Sequence, residues 1–218
     1  MLLFIVLIVG FCLADQTIYP PLTGKFFYSD LEYDPTTGFQ SLTLYKDDGS
    51  DFYNLLVTPN DYYMSLYLTW CQTCNADQKR YRLTNTGKRL NKLQVSESFL
   101  IYSQQNLQPM IFFGEQIGDT FDIQFKEYKR TVKFEMDFLG ISTEYPSIDT
   151  IYDGYVGLKP YSAFNSDIDF DYKRLNFMYE LKAQGKIDHI VAAIYASNIA
   201  GQSSIKFGSY DLAGVRAG

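Results

Sequence analysis

Apolar residues in this 218-residue chain fall in short runs broken by turn-forming residues and often alternate with polar ones, a spacing that suits strands far better than helices. Phe39 to Tyr45 alternates, with Leu42 and Leu44 on one face, and stops at Asp47-Asp48-Gly49-Ser50. Asp51 to Val57 and Tyr62 to Trp70 follow as further strands. Ser98 to Tyr102, Met110 to Phe113, Phe121 to Phe125 and Thr131 to Met136 continue the series, and Ile190 to Tyr195 and Ser204 to Phe207 end it. Composition agrees, since 19 Tyr and 17 Phe supply flat side chains that pack on pleated surfaces. One segment has helical spacing: Asn176 to Gln184 carries Phe177, Met178 and Leu181 on one side, and Gly185 stands where a left-handed C-cap belongs. The pattern predicts one all-β domain with one or two short helices, in a chain long enough to bury a proper core.

Met1 to Ala14 reads as a secretory signal peptide, with Leu2 to Val9 as its apolar stretch and Cys12-Leu13-Ala14 as a small-x-small cleavage site. That stretch is too short to span a bilayer, so no membrane association is expected once it is removed. Residues 15 to 38, with Pro20-Pro21 and Pro35-Thr36-Thr37-Gly38, read as an extended lead-in. Asn75 to Asn91 is polar and basic and reads as a surface connection. A formal charge of −6 argues against nucleic acid, because a phosphate backbone needs a basic patch to replace its counterions. Cys12 leaves with the signal, and Cys71 and Cys74 are then the natural disulfide pair of a secreted or lumenal protein, in the endomembrane system or lysosome.

The strongest motif is Asp153-Gly154-Tyr155-Val156-Gly157-Leu158, followed later by Phe207-Gly208-Ser209-Tyr210-Asp211. With Phe138-Leu139-Gly140-Ile141-Ser142 and Leu181 to Asp188, these stretches resemble the N-terminal lobe of the pepsin-like aspartic proteases (peptidase A1), over roughly residues 39 to 212. The resemblance implies a single pepsin-like lobe, mostly antiparallel, spanning 39 to 218. It aligns Asp51 to Val57 with the strand that leads to the catalytic turn, which puts Thr58 at the position of the family aspartate and Pro59, Asn60 and Asp61 where the family has Thr, Gly and Ser. Ser98 to Ile101 resembles the approach to the flap, so Ser103 stands at the position of the flap tyrosine and Gln104 at that of the following glycine. Asp153-Gly154 and Gly157 are expected where backbone crosses backbone, a place that demands glycine whether or not the site is catalytic.

Aspartic protease chemistry needs two carboxylates that share one proton, one acting as base on water while the other polarises the peptide carbonyl. Thr58 cannot ionise usefully, Ser103 cannot replace the phenol, and the family's second aspartate belongs to a second lobe that is not in this sequence. The expectation is a family member without peptidase activity, needing no cofactor, that retains a groove for an extended peptide or protein. A lone lobe is also expected to self-associate or to take a separate second-lobe partner over its apolar interface. Two alternatives keep an enzyme: an aspartic endopeptidase made by pairing lobes through Asp61, or a disulfide oxidoreductase at Trp70-Cys71-Gln72-Thr73-Cys74. Asp61 otherwise reads as an ordinary turn carboxylate. Asp167, Asp169 and Asp171 alternate as in a calcium loop, but Tyr172 and Met178 stand where that loop needs Gly and Glu, so no metal site is expected. His189, the only histidine, reads as a surface residue.

Overall fold

The computed structural model describes residues 22–46, 49–59, 61–74, 78–83, 87–97, 110–125, 130–145, 151–159, 172–199 and 201–210. The expected signal peptide, Ser98 to Tyr102, Ser103, Gln104 and the Asp167 to Asp171 series lie outside them.

The described residues form β1 (Phe27–Tyr33), β2 (Gln40–Lys46), β3 (Asp51–Thr58), β4 (Met64–Tyr67), β5 (Lys88–Glu97), β6 (Met110–Phe125), β7 (Arg130–Tyr145), β8 (Gly154–Gly157), β9 (Ala192–Tyr195) and β10 (Ser203–Phe207). A 3-10 turn (Tyr172–Leu175) leads into helix α1 (Phe177–Ala183). The expected all-β fold with short helices is what the structure shows. Strand order is β5-β6-β7-β4-β8-β3-β2-β1-β10-β9, and a further contact, Tyr45 opposite Asp122, joins β2 back to β6. That contact closes the six strands from β6 to β2 into a barrel, and β1, β10 and β9 continue the sheet beyond it. Pairing is antiparallel except at β3–β8 and β4–β7. No helix among the described residues is long and apolar enough to cross a membrane.

Alternation fills the barrel. Leu42 and Leu44 of β2, Tyr53 and Leu55 of β3, Leu66 of β4, Phe121 of β6, and Phe134, Met136 and Phe138 of β7 meet in one core, sealed by Phe177, Met178 and Leu181 of α1. The helix begins as its sequence predicts: the Asn176 side chain accepts from the Tyr179 N–H, and Gly185 takes φ 64° after the last turn. The same alternation carries Lys46 inward after Leu42 and Leu44, where its ammonium pairs with buried Asp119, itself bonded by the Tyr81 hydroxyl. A cation inside the barrel stands because its charge is met there.

Three expectations need correction. The lead-in expected over 15 to 38 contains β1, which pairs with β10 on one side and β2 on the other and buries Phe27 and Leu31. Its neighbours hide it: Ser29 interrupts the apolar face, and prolines flank the segment. The surface connection expected over 75 to 91 buries Tyr81 in the barrel core and runs into β5 at Lys88. Finally, the separate runs Met110 to Phe113 and Phe121 to Phe125 are the two ends of one 16-residue strand, and Thr131 to Met136 is part of another. Their polar middles are sustained by the β6–β7 ladder, which continues from Ile111 opposite Tyr145 to Phe125 opposite Arg130 around one bulge at Phe113/Gly114.

Candidate functional site at the β3–β8 crossing

Strand β8 threads between β3 and β4, although β3 and β4 are consecutive in the chain. It runs parallel to β3, with Leu55 opposite Gly154 and Thr58 opposite Gly157, and antiparallel to β4, with Met64 opposite Val156. The segment from Thr58 to Tyr63 must therefore pass over the end of β8. Contact there is close enough that a Cβ at Gly154 would overlap the Ser65 carbonyl oxygen, and one at Gly157 would overlap that of Asp61. Both glycines are demanded by backbone approach, as the motif suggested.

The crossing is tied by backbone and side chain together. Leu158 N–H donates to the Thr58 carbonyl (3.1 Å), Gly157 N–H to that of Tyr63 (2.9 Å) and Lys159 N–H to that of Asp61 (2.9 Å). The Thr58 hydroxyl donates to the Val156 carbonyl at 3.1 Å. Asn176 adds a staple: besides capping α1, its amide nitrogen donates to the carbonyls of Tyr62 and Lys159, each at 2.8 Å, and the residue is wholly buried. Sequence reasoning found Asn176 as a helix start and missed this second role, because nothing local signals that the cap faces a turn more than 100 residues earlier.

Strand β3 thus delivers a hydroxyl, Thr58, to the crossing, and the nearest described carboxylate after it is Asp61. The ordinary turn carboxylate expected there is instead 9% exposed. Burial pushes Asp61 up to about 6, against the smaller opposing effects of the Thr58 hydroxyl and the Lys159 ammonium. Lys159 itself lies over the Tyr62 ring, 4.3 Å from its centroid. Asp153, entering β8, accepts the N–H groups of Asn54 and Lys79, each at 2.8 Å. Burial nevertheless raises its carboxyl above the ordinary range, outweighing those bonds.

Cys71 and Cys74 form a disulfide, as expected, and both are buried in a second core cluster with Tyr67, Phe112 and Tyr155. Arg80 donates to the carbonyls of Cys71 (3.1 Å) and Cys74 (2.9 Å), and Thr73 accepts the Glu144 N–H of β7. The backbone from 71 to 74 is bent, whereas a thioredoxin-type centre needs a helix there and an exposed sulfur. Beside the ring, Tyr67 donates to buried Glu144 (2.7 Å) and shares a hydrogen bond with Tyr155 (2.9 Å), and burial raises both phenols. His189 bonds the Thr23 carbonyl through Nε2 at 2.8 Å and so helps hold the segment before β1. Among the described residues no group of three His, Cys, Asp or Glu is placed to hold a metal ion.

No protein-family model and no curated protein matches the chain. Among solved structures it is similar to conglutin gamma, a basic 7S globulin from lupine seeds, with TM-score 0.54 and 11% identity over 88% of this chain and 50% of that one. It is similar also to basic 7S globulin from soybean, with TM-score 0.57 and 13% identity over 85% of this chain and 50% of that one. The chain spans about half the length of either globulin. At these identities the likeness is one of fold: both globulins have the aspartic-protease-like fold, and this chain has the all-β architecture of a single lobe of it.

Proposed function

We propose that this protein is a secreted or lumenal pepsin-like lobe without peptidase activity, which retains binding of an extended peptide or protein segment. One observation carries the reading: β3 ends on the uncharged hydroxyl of Thr58, and the carboxylate that follows, Asp61, is buried three residues farther on. A water-activating dyad needs an ionisable acid at the strand end, with a second one facing it. Binding needs neither, because an extended segment is held by main-chain pairing. The reading includes a partner, either a second copy or a complementary lobe, over the side of β9 that pairs with no described strand, where Ile194 is 37% exposed and Ile199, just beyond the strand, 55%.

The test uses the purified mature protein with denatured globin at acid pH, with and without a pepstatin-type inhibitor. The expected result is no cleavage and saturable retention of unfolded peptide. Inhibitor-sensitive cleavage that disappears in Asp61→Asn would replace this reading with the lobe-pairing endopeptidase.

A further inference from the structure

Strand β7 has an edge that no described strand covers. Its pairing with β4 takes in only Leu139, Gly140 and Ile141, so from Arg130 to Phe138 its described strand partner is β6 alone. One side chain reaches this edge from the end of α1: Gln184 Oε1 accepts the Glu135 N–H at 2.9 Å, and Nε2 donates to the Glu135 carbonyl at 2.5 Å. A side-chain amide here takes both main-chain groups of one strand residue, as a residue of a neighbouring strand does. Glu135 thus turns both groups away from β6, and because the β6–β7 register is unbroken from Met136 to Arg130, those of Lys133 and Thr131 turn the same way. No described strand takes them. The groove between this edge and α1 holds about 720 Å³, and a second hollow of about 300 Å³ shares Thr120, Glu135 and Arg174 with it. Lys88, Lys133 and Arg174 are exposed along the two and Lys186 is half-buried, against one exposed acid, Glu135. The other acids are engaged: Asp119 pairs with Lys46, Asp137 with Arg174, and buried Glu180 accepts from Gln184. In a chain of net charge −6, this groove presents mainly cations.

We propose that the β7 edge takes an extended, acidic peptide segment as an added strand, and that the Gln184 amide holds the place of that segment's main chain. The incoming backbone pairs with Lys133 and then with Glu135, where its own N–H and carbonyl replace the Gln184 amide. Main-chain pairing supplies affinity without regard to sequence. The cations supply the choice: an acidic side chain opposite Lys133 lies within the screening length of that ammonium, whereas a basic one is repelled. The inference rests on the peptide binding proposed above and gives it a place, the groove between β7 and α1, and a ligand class.

The experiment titrates the whole protein with an acetylated, amidated hexapeptide alternating Glu and Val, read by calorimetry and amide NMR. Controls are the same peptide with Gln in place of Glu, and the same peptide N-methylated at alternate residues. Expected are binding that weakens with salt and with each control, and new exchange protection at the Lys133 N–H. Gln184→Ala removes the competing amide and should tighten binding by up to about tenfold, the worth of one neutral hydrogen bond. Lys133→Glu, at an exposed side chain, should weaken it by about fivefold in low salt, and it decides the matter alone where Gln184→Ala unfolds. Unchanged or weaker binding in folded Gln184→Ala, unchanged binding in Lys133→Glu, or equal binding of the N-methylated peptide overturns the added strand. Self-association of Gln184→Ala in place of peptide binding makes a second copy the occupant and overturns the acidic segment. Retention of unfolded globin that neither variant alters sustains the proposed function and removes this site, whereas the absence of both globin and peptide binding removes the two together.

Discussion

Asp153 opens the strongest motif in the sequence, yet close backbone approach explains only the glycine after it. Its carboxylate spans the N–H of Asn54 in β3 and the N–H of Lys79 in the segment leading to Tyr81. Asp153→Ala strands both donors. A buried donor left unpaired costs about 1–3 kcal/mol, so two would cost about 2–6. Two effects pull the value to the lower half of that range. Both hydrogen bonds are only part-buried, and the wild-type carboxyl is itself raised by burial, so its removal relieves a desolvation penalty. The expected loss is about 3 kcal/mol, a large part of the 5–15 kcal/mol typical of a domain. Asp153→Asn keeps one acceptor and should lose about half as much. Urea unfolding at pH 7, followed by fluorescence of the single tryptophan, Trp70, and by far-ultraviolet circular dichroism, reads both variants. Losses below about 0.5 kcal/mol in both, with unchanged denaturant slopes, would refute the view that this carboxylate clamps the crossing.

The same assay checks the other expectations. Asp61 rises from 3.8 in the unfolded chain to about 6 when folded, so its contribution is complete below pH 3.8 and is lost as pH rises to 6. At 1.36 kcal/mol per unit the loss is about 3 kcal/mol; Asp61→Asn should remove that slope, and parallel wild-type and variant profiles would contradict it. Lys46→Met leaves Asp119 charged inside the barrel and should cost about 3–5 kcal/mol, whereas Lys46→Met with Asp119→Leu should recover much of it; additive losses would show that the pair is not coupled. Replacing Cys71 and Cys74 with serine opens a small ring and should cost about 2 kcal/mol or less. The wild-type protein should reduce no test disulfide, and catalysis dependent on Cys71 would restore the oxidoreductase alternative.

What could be read from the sequence were features whose cause is local. The N-cap at Asn176, the left-handed Gly185, the alternation of Leu42 and Leu44, and the disulfide between Cys71 and Cys74, three positions apart, all depend on neighbours within a few residues. What escaped depends on pairing across the chain. Strand β1 is a strand because residues 203 to 207 come back to lie beside it, the Phe27–Phe207 pair being 180 positions apart, and no local pattern competes with its flanking prolines. The middles of β6 and β7, with Gln116, Gly118, Asp119 and Gly140, read as breaks until the partner strand satisfies them: Gln116 bonds Asp137 across the ladder, and Asp119 meets Lys46 from β2. The site divides in the same way. Thr58 at the end of an apolar strand was legible, and so was the need for glycine at 154 and 157. That Asp61 is buried was not, because a turn becomes an interior only when another strand passes beneath it, here one that lies almost 100 residues later. The chemistry of this crossing is accordingly set by the long-range pairing of β3 with β8, and a substitution that leaves the turn untouched but displaces β8 should return Asp61 to the ordinary carboxylate range.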